Sequence, residues 1–280
     1  MQSGPQSQTD RQKPNPLKRD SQKPSQKEGQ QGTDWRRATL ARFEKHRQAW
    51  RDNEALRTLY TRWYLEVKAR LPDRGLGRFV ELGSGPGFAR EVIPELELSD
   101  VVRAPWHNHE VDAEALPFAA STVGALVLFD VLHHLRRPAV FLAEASRVLA
   151  PGGRLILCEP YVSALSFPIY RFLHEERCDL SVDPLAEALA KNEDPFDGNQ
   201  AIPSLLLVRH RKALAAKFPK LQLTEMKRLA GLSYPASGGF SRRPFLPRWM
   251  WRSLLAVEDR LPKAAFRLLG FRLLAVFQRT

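Results

Sequence analysis

The sequence has 280 residues, 43% of them hydrophobic, and a formal net charge of +12. That length suits one large domain with a tail, and no apolar run approaches the roughly 18 residues of a membrane span. The opening MQSGPQSQTDRQKPNPLKRD has no apolar segment, so it does not read as a secretory signal. Cys158 and Cys178 are the only cysteines. Two thiols make neither a disulfide framework nor a cysteine zinc site, and they fit a reducing cytoplasm.

The charge is unevenly spread. Residues 79–208 carry 9 basic and 19 acidic side chains, whereas residues 209–280 carry 16 and 3. Such a basic face attracts anions, whether lipid, glycan or nucleic acid.

Residues 1–34 are rich in Gln, Ser, Pro and Lys, with Leu17 almost alone as a large apolar residue. Too little surface can be buried there to offset ordering entropy, so a disordered basic tail is expected. From Trp35 to Arg70 apolar residues recur at threes and fours, the pattern of a helix face, and residues 35–77 form an N-terminal helical segment.

Strands are expected at 79–82 (FVEL), weakly around Val101 and Val102, at 109–111 (HEV), at 123–129 (VGALVLF) and at 154–159 (RLILCE). Helices are expected from Phe88 to Leu96 and from Pro138 to Leu149. This alternation over residues 78–160 predicts an α/β fold. The expected sheet is Rossmann-like, seven-stranded and mostly parallel, with helices on both faces. Residues 161–220 break the rhythm and read as a cap inserted over the mouth of the sheet. Residues 221–280 add a sixth strand (221–229), a helix from Trp249 to Leu261 and a last strand (271–278). Residues 35–280 thus form one domain.

The first strand runs into Gly83-Ser84-Gly85-Pro86-Gly87. Such a loop lets the backbone approach a ligand closely, and taken alone it could hold a dinucleotide, a phosphate or a sulfonium cofactor. A nicotinamide loop wants its third glycine one place later, and a phosphate loop wants a lysine that is missing here. Glu81, two places upstream of Gly83, suits a cationic ligand and would repel a pyrophosphate.

Four stretches together resemble the class I S-adenosylmethionine-dependent methyltransferases, in particular the type 11 branch. They are VELGSGPG (80–87), VDAEALPF (111–118), VLFDVLHHL (127–135) and EASRVLAPGGRLILCEP (144–160). The resemblance implies that S-adenosyl-L-methionine is the cofactor and S-adenosyl-L-homocysteine the product. It implies that Glu81 fixes the amino group of the methionine part. Gly83, Ser84, Gly85 and Gly87 would pass beneath the methionine and ribose. Asp100, 19 residues past Glu81, would take the ribose hydroxyls, although the run after it departs from the usual pattern. Asp112 and Ala113 would face the adenine, and Asp130 and Val131 would lie beside the cofactor at the end of the fourth strand.

Methyl transfer from a sulfonium needs alignment and exclusion of water, and needs a base only for a protonated nucleophile. His134, and then His133, are the candidate bases. Glu159, Tyr161, His174, Glu175, Glu176, Asn199 and Gln200 are candidates for meeting an acceptor. No metal ligand set is evident. The stretch YPASGGFSRRPFLPRWMWRSLL (234–255) mixes arginines with aromatics, as a peripheral contact with an anionic membrane would require. The expected acceptor is a small molecule, a glycan or a lipid-linked intermediate. DVLH stands where nucleic-acid methyltransferases often carry an Asn-Pro-Pro-Tyr-like or Asp-Pro-Pro-Tyr-like tetrapeptide, which disfavours nucleic acid. The competing readings are an inactive methyltransferase-like binding protein and an RNA or protein methyltransferase.

Overall fold

The structure is a computed structural model. It describes Met1, residues 26–189 (backbone only over 26–33) and residues 197–280. Residues 2–25, most of the expected tail, lie outside the described residues, as do residues 190–196 of the expected cap.

Seven strands form one sheet: β1 (Arg78–Leu82), β2 (Glu97–Asp100), β3 (His109–Glu110), β4 (Val123–Phe129), β5 (Leu149–Pro160), β6 (Leu221–Leu229) and β7 (Arg272–Arg279). Their order is β3-β2-β1-β4-β5-β7-β6. The first five pair in parallel, and β7 enters antiparallel between β5 and β6. β4 is buried at every position, as expected of a central strand covered on both faces. β5 starts earlier than expected because a register shift near Val123 lets Leu149 join the ladder before the Pro151-Gly-Gly turn. The second strand is ELSD at 97–100, not the Val101–Val102 pair. Asp100 Oδ1 accepts from the Val102 N–H and folds the chain away from the sheet there.

Among the described residues the α-helices are α1 (Gln26–Asp52), α2 (Glu54–Lys68), α3 (Ala89–Val92), α4 (Pro138–Val148), α5 (Ser166–Phe172), α6 (Ile202–Ser204), α7 (Arg211–Lys217), α8 (Ser233–Ala236), α9 (Arg248–Glu258) and α10 (Phe266–Leu269). α1 begins inside the stretch expected as a tail. It is split from α2 at Asn53, whose Oδ1 caps the Leu56 N–H. α3 stops at Val92, shorter than the expected 88–96, because Pro94 supplies no backbone N–H.

Two apolar layers sandwich the sheet. One packs Leu82, Leu126, Phe141, Leu142 and Leu155 beneath α4. The other packs Trp50, Leu59, Trp63, Phe79, Ile93 and Val127 against α1, α2 and α9. A third, smaller cluster around Tyr170, Leu205 and Phe271 anchors the insertion. Among the described residues no helix is long and apolar enough to cross a membrane.

Candidate active site

β1 ends between β2 and β4, and the glycine loop leaves the sheet there. Gly83 has φ +67°, and a side chain on it would come within 2.5 Å of Val131 Cγ2, so only glycine lets the loop pass the segment after β4. Gly87, at φ +80°, is likewise closed in by the Trp106 ring at 2.7 Å. Ser84 N–H donates to Ser99 O at 2.8 Å, and Ser99 Oγ donates to Glu81 O at 2.7 Å, which ties the loop to β2.

Glu81 is 1% exposed, and its Oε2 has no hydrogen-bond partner. Burial, with the negative Asp100 nearby, raises its pKa to about 8. A buried carboxylate oxygen without a donor is costly, and a cationic group placed beside it would remove that cost. Asp100 is turned to the loop itself. Its Oδ2 accepts from Gly85 N–H at 2.9 Å and its Oδ1 from Val102 N–H at 3.1 Å. Burial nevertheless raises its pKa. Asp112 is exposed and accepts from its own Glu114 N–H at 2.8 Å, closing a turn, while Ala113 beside it is buried.

α1 lies across this loop, a placement the sequence pattern did not reveal. Arg47 donates to Pro86 O at 3.0 Å and stacks over the Trp106 ring at 4.3 Å. Trp50 stacks on Phe88 at 4.2 Å, and Trp106 Nε1 and His107 Nε2 both reach Gly85 O at 2.8 Å.

Beyond β4 the chain turns at Asp130, at φ +59°. Expected to lie beside a cofactor, Asp130 is instead engaged by Arg272 of β7 through both guanidinium nitrogens and by Tyr60 Oη at 3.1 Å. Its pKa stays below the usual range because Arg272 outweighs the effect of burial. Arg272 is 1% exposed, and its guanidinium lies 4.7 to 5.6 Å from the ring centres of Tyr60, Trp63, Phe129 and Tyr234. Cation–π attraction and the bidentate carboxylate together repay its desolvation. The signal was a single charge within the apolar run FRLLAVF, which sequence reasoning passed over.

Glu159, at the end of β5, organises the next turn. Its Oε1 accepts from the Val131 and Leu132 N–H groups at 2.8 Å each, and its Oε2 meets His133 Nδ1 at 2.8 Å. Val131 thus contributes a backbone donor to this turn and a side chain against Gly83. His133 Nε2 faces Glu176 Oε2 at 3.3 Å, and Gln200 Nε2 donates to that same oxygen at 2.5 Å. Burial alone would lower the pKa of His133, but Glu159 and Glu176 outweigh it and hold it at about 10. Burial and the adjacent positive ring lower His134 to about 4, and its Nδ1 has no partner. The two rings are 4.0 Å apart. His133 is therefore protonated near neutral pH, and His134 is the ring with a lone pair to offer.

The remaining acceptor candidates are placed unequally. Asn199 is consumed in bracing the insertion, through Asp179 N–H and Ala201 N–H at its Oδ1. Tyr161 Oη donates to Arg267 O at 3.1 Å, and His174 and Glu175 are exposed.

A central glycine loop, a buried carboxylate behind it and a sheet ordered 3-2-1-4-5-7-6 with one antiparallel strand define the class I methyltransferase fold. Residues 80–157 match the family model described as methyltransferase domain, so this part of the chain is a type 11 methyltransferase domain, the class that depends on S-adenosylmethionine. The chain is similar to demethylmenaquinone methyltransferase of Streptomyces avermitilis, at 27% identity over 148 residues, covering 48% of this chain and 63% of that protein. It is also similar to a ubiquinone/menaquinone biosynthesis C-methyltransferase of Syntrophotalea carbinolica, at 30% identity, covering 35% and 50%. The chain spans about half the length of the curated relatives it matches. A similar solved structure is geranyl diphosphate C-methyltransferase from Streptomyces coelicolor A3(2), at 13% identity, covering 80% and 81%, with a TM-score of 0.45.

The residues present fit S-adenosylmethionine. The partnerless oxygen of Glu81 matches its amino group, and the three left-handed glycines carry no side chain of their own where Val131, Phe43 and Trp106 close over the loop.

Proposed function

We propose that the protein is an S-adenosylmethionine-dependent methyltransferase acting on a small-molecule acceptor. The observation that carries this reading is the buried carboxyl group of Glu81 directly behind Gly83, Gly85 and Gly87, whose Oε2 has no hydrogen-bond partner. When bound, the cofactor supplies a methyl group already activated on a sulfonium, so the chain's task is placement. Glu81 would hold the amino group, Asp100 would keep the loop in shape while serving the ribose side, and Asp112 and Ala113 would border the adenine. α1 would cover the loop and exclude water through Phe43, Arg47 and Trp50. On the acceptor side, His134 is neutral near pH 7 and supplies the free nitrogen to which an acceptor hydroxyl could lose its proton.

For the acceptor we favour an apolar, quinone-like molecule, after the activity in the names of the relatives. A basic and aromatic face supports this. Phe245, Trp249 and Val257 are exposed along and before α9, interleaved with Arg242, Arg243, Arg248 and Arg252. That face suits an anionic lipid surface, from which a lipid-soluble acceptor would be drawn. The inactive-protein reading is disfavoured because the loop keeps every group a cofactor needs.

The test is turnover with demethylmenaquinol presented in phosphatidylglycerol vesicles. The expected result is a product heavier by one methylene unit, formed together with S-adenosylhomocysteine and dependent on Glu81. Absence of any methylated product, with cofactor demonstrably bound, would refute the acceptor and leave the cofactor reading intact.

A further inference from the structure

We propose that His133, His134 and Glu176 form a binding site for one divalent transition-metal ion of the zinc or cobalt type. One nitrogen from each histidine and one carboxylate oxygen lie within 4.8 Å of one another. The three come from two distant parts of the chain, the turn after β4 and the insertion. The 3.3 Å between His133 Nε2 and Glu176 Oε2 is close to the separation, about 3.3 Å, of two ligand atoms that share a tetrahedral metal at 2.0–2.1 Å. Imidazole nitrogen and carboxylate oxygen are donors suited to zinc-like ions.

Three further observations point to an occupant rather than to three unrelated side chains. First, His134 Nδ1 is buried and has no partner. Second, His133 is oriented through its other nitrogen by Glu159 at 2.8 Å, the carboxylate–histidine arrangement that fixes a metal-binding tautomer. Gln200 Nε2 donates at 2.5 Å to Glu176 Oε2, the donor oxygen itself, and holds it in place through one lone pair while the other stays available. Third, Gly198 packs directly against the donors, where no larger residue fits without displacing them. A Cβ there would lie 2.8 Å from Glu176 Oε2, 2.9 Å from His133 Cδ2 and 2.9 Å from His134 Nδ1. Asp130, although near, is committed to Arg272 and is not counted as a ligand.

Three protein ligands leave a position open, the mark of a site that handles substrate rather than one that only ties the fold. With an ion bound, the lone pair of His134 is taken and His134 is not the base; the cation itself would polarise an acceptor oxygen and make its proton easier to lose, which replaces that part of the proposed reaction and rests on it. The site itself does not depend on that reaction being methyl transfer. The rival occupant is a proton on His133 Nε2, shared with Glu176.

The experiment uses the full chain, stripped with a chelator and titrated with Co2+ under visible absorption, then back-titrated with Zn2+. One Co2+ per chain, with the intense visible bands of a four-coordinate ion and displacement by one Zn2+, is expected. Gly198→Ala and Glu176→Gln should weaken binding by at least about tenfold, and Glu159→Gln by about 10- to 100-fold. His109→Ala, whose ring pairs with Glu97 on the far edge of the sheet, should leave binding unchanged. Should Gly198→Ala fail to fold, Glu176→Gln, which keeps the side-chain shape, decides alone. No Co2+ band in the wild type, or equal affinity in wild type and Glu176→Gln, would overturn the site in favour of the proton. Both readouts are taken without cofactor or acceptor, so they stand apart from any failure of turnover.

Discussion

The glycine loop and the insertion beyond residue 160 solve the same problem in opposite ways. Around Gly83 to Gly87 the backbone does the work. Ser84, Gly85 and Gly87 bond to neighbouring backbone or to Asp100, and glycine at three left-handed positions lets Val131, Phe43 and Trp106 approach the loop closely. One buried carboxyl oxygen, Glu81 Oε2, is left without a partner. Around residues 174–200 side chains do the work. Among the described residues there, Glu176 reaches back to His133, Gln200 braces Glu176, and the Asn199 backbone N–H donates to His133 O. A loop built from backbone geometry binds one shape of ligand in many proteins. A pocket built from side chains is free to vary, which is why we propose that the acceptor is chosen there.

The sharpest way to break the comparison is at the junction between the two regions. Asp130→Ala leaves Arg272 buried among four rings with no carboxylate, and it should lower unfolding free energy by about 3–5 kcal/mol in a denaturant titration. The double variant Asp130→Ala, Arg272→Met should recover much of that loss. Next comes Gly83→Ala. It combines a left-handed φ with a clash against Val131, and it should cost about 3 kcal/mol and abolish cofactor binding. Glu159→Ala orphans the buried Leu132 and part-buried Val131 N–H groups, and it should cost about 2 kcal/mol by the same titration.

Glu81 gives a pH signature. Its folded pKa of about 8 lies above the ordinary 4.5, so the native protein holds a proton that the unfolded chain has released. The stability this confers is complete below pH 4.5 and is lost as pH rises through 8. Glu81→Gln should therefore melt at a temperature less sensitive to pH between about 5 and about 9 than the wild type. An identical pH slope in the two proteins would remove the buried carboxylate from the account. Smallest in stability is Trp249→Ala, expected within about 0.5 kcal/mol of wild type. The same variant should weaken binding to phosphatidylglycerol vesicles in a sedimentation assay.

Much of residues 78–160 was legible because its signals are local. β4 is a continuous apolar run, and the glycines sit where the turn demands them. Asp100 is at the end of β2 even though the strand lies earlier than expected. What was not legible depends on chain returning from a distance. The Arg272–Asp130 pair joins residues 142 apart in sequence, and Tyr60 adds a third segment. Glu176 meets His133 only because the insertion folds back over β4 and β5. Adjacent histidines look equivalent in the sequence HH. Burial and carboxylate contacts separate their pKa values to about 10 and about 4. α1 shows its apolar face plainly, but nothing in its period says that the face lies on Gly85 and Phe88.

The central claim is that Glu81 and its glycine loop hold S-adenosylmethionine. Calorimetric titration of the wild-type chain and of Glu81→Gln with S-adenosylmethionine and S-adenosylhomocysteine tests it most directly. The account predicts binding of one molecule per chain to the wild type. Glu81→Gln should bind about 10- to 100-fold more weakly, the worth of one charge-assisted hydrogen bond. No heat of binding to the folded wild type at cofactor concentrations on the order of millimolar would contradict it.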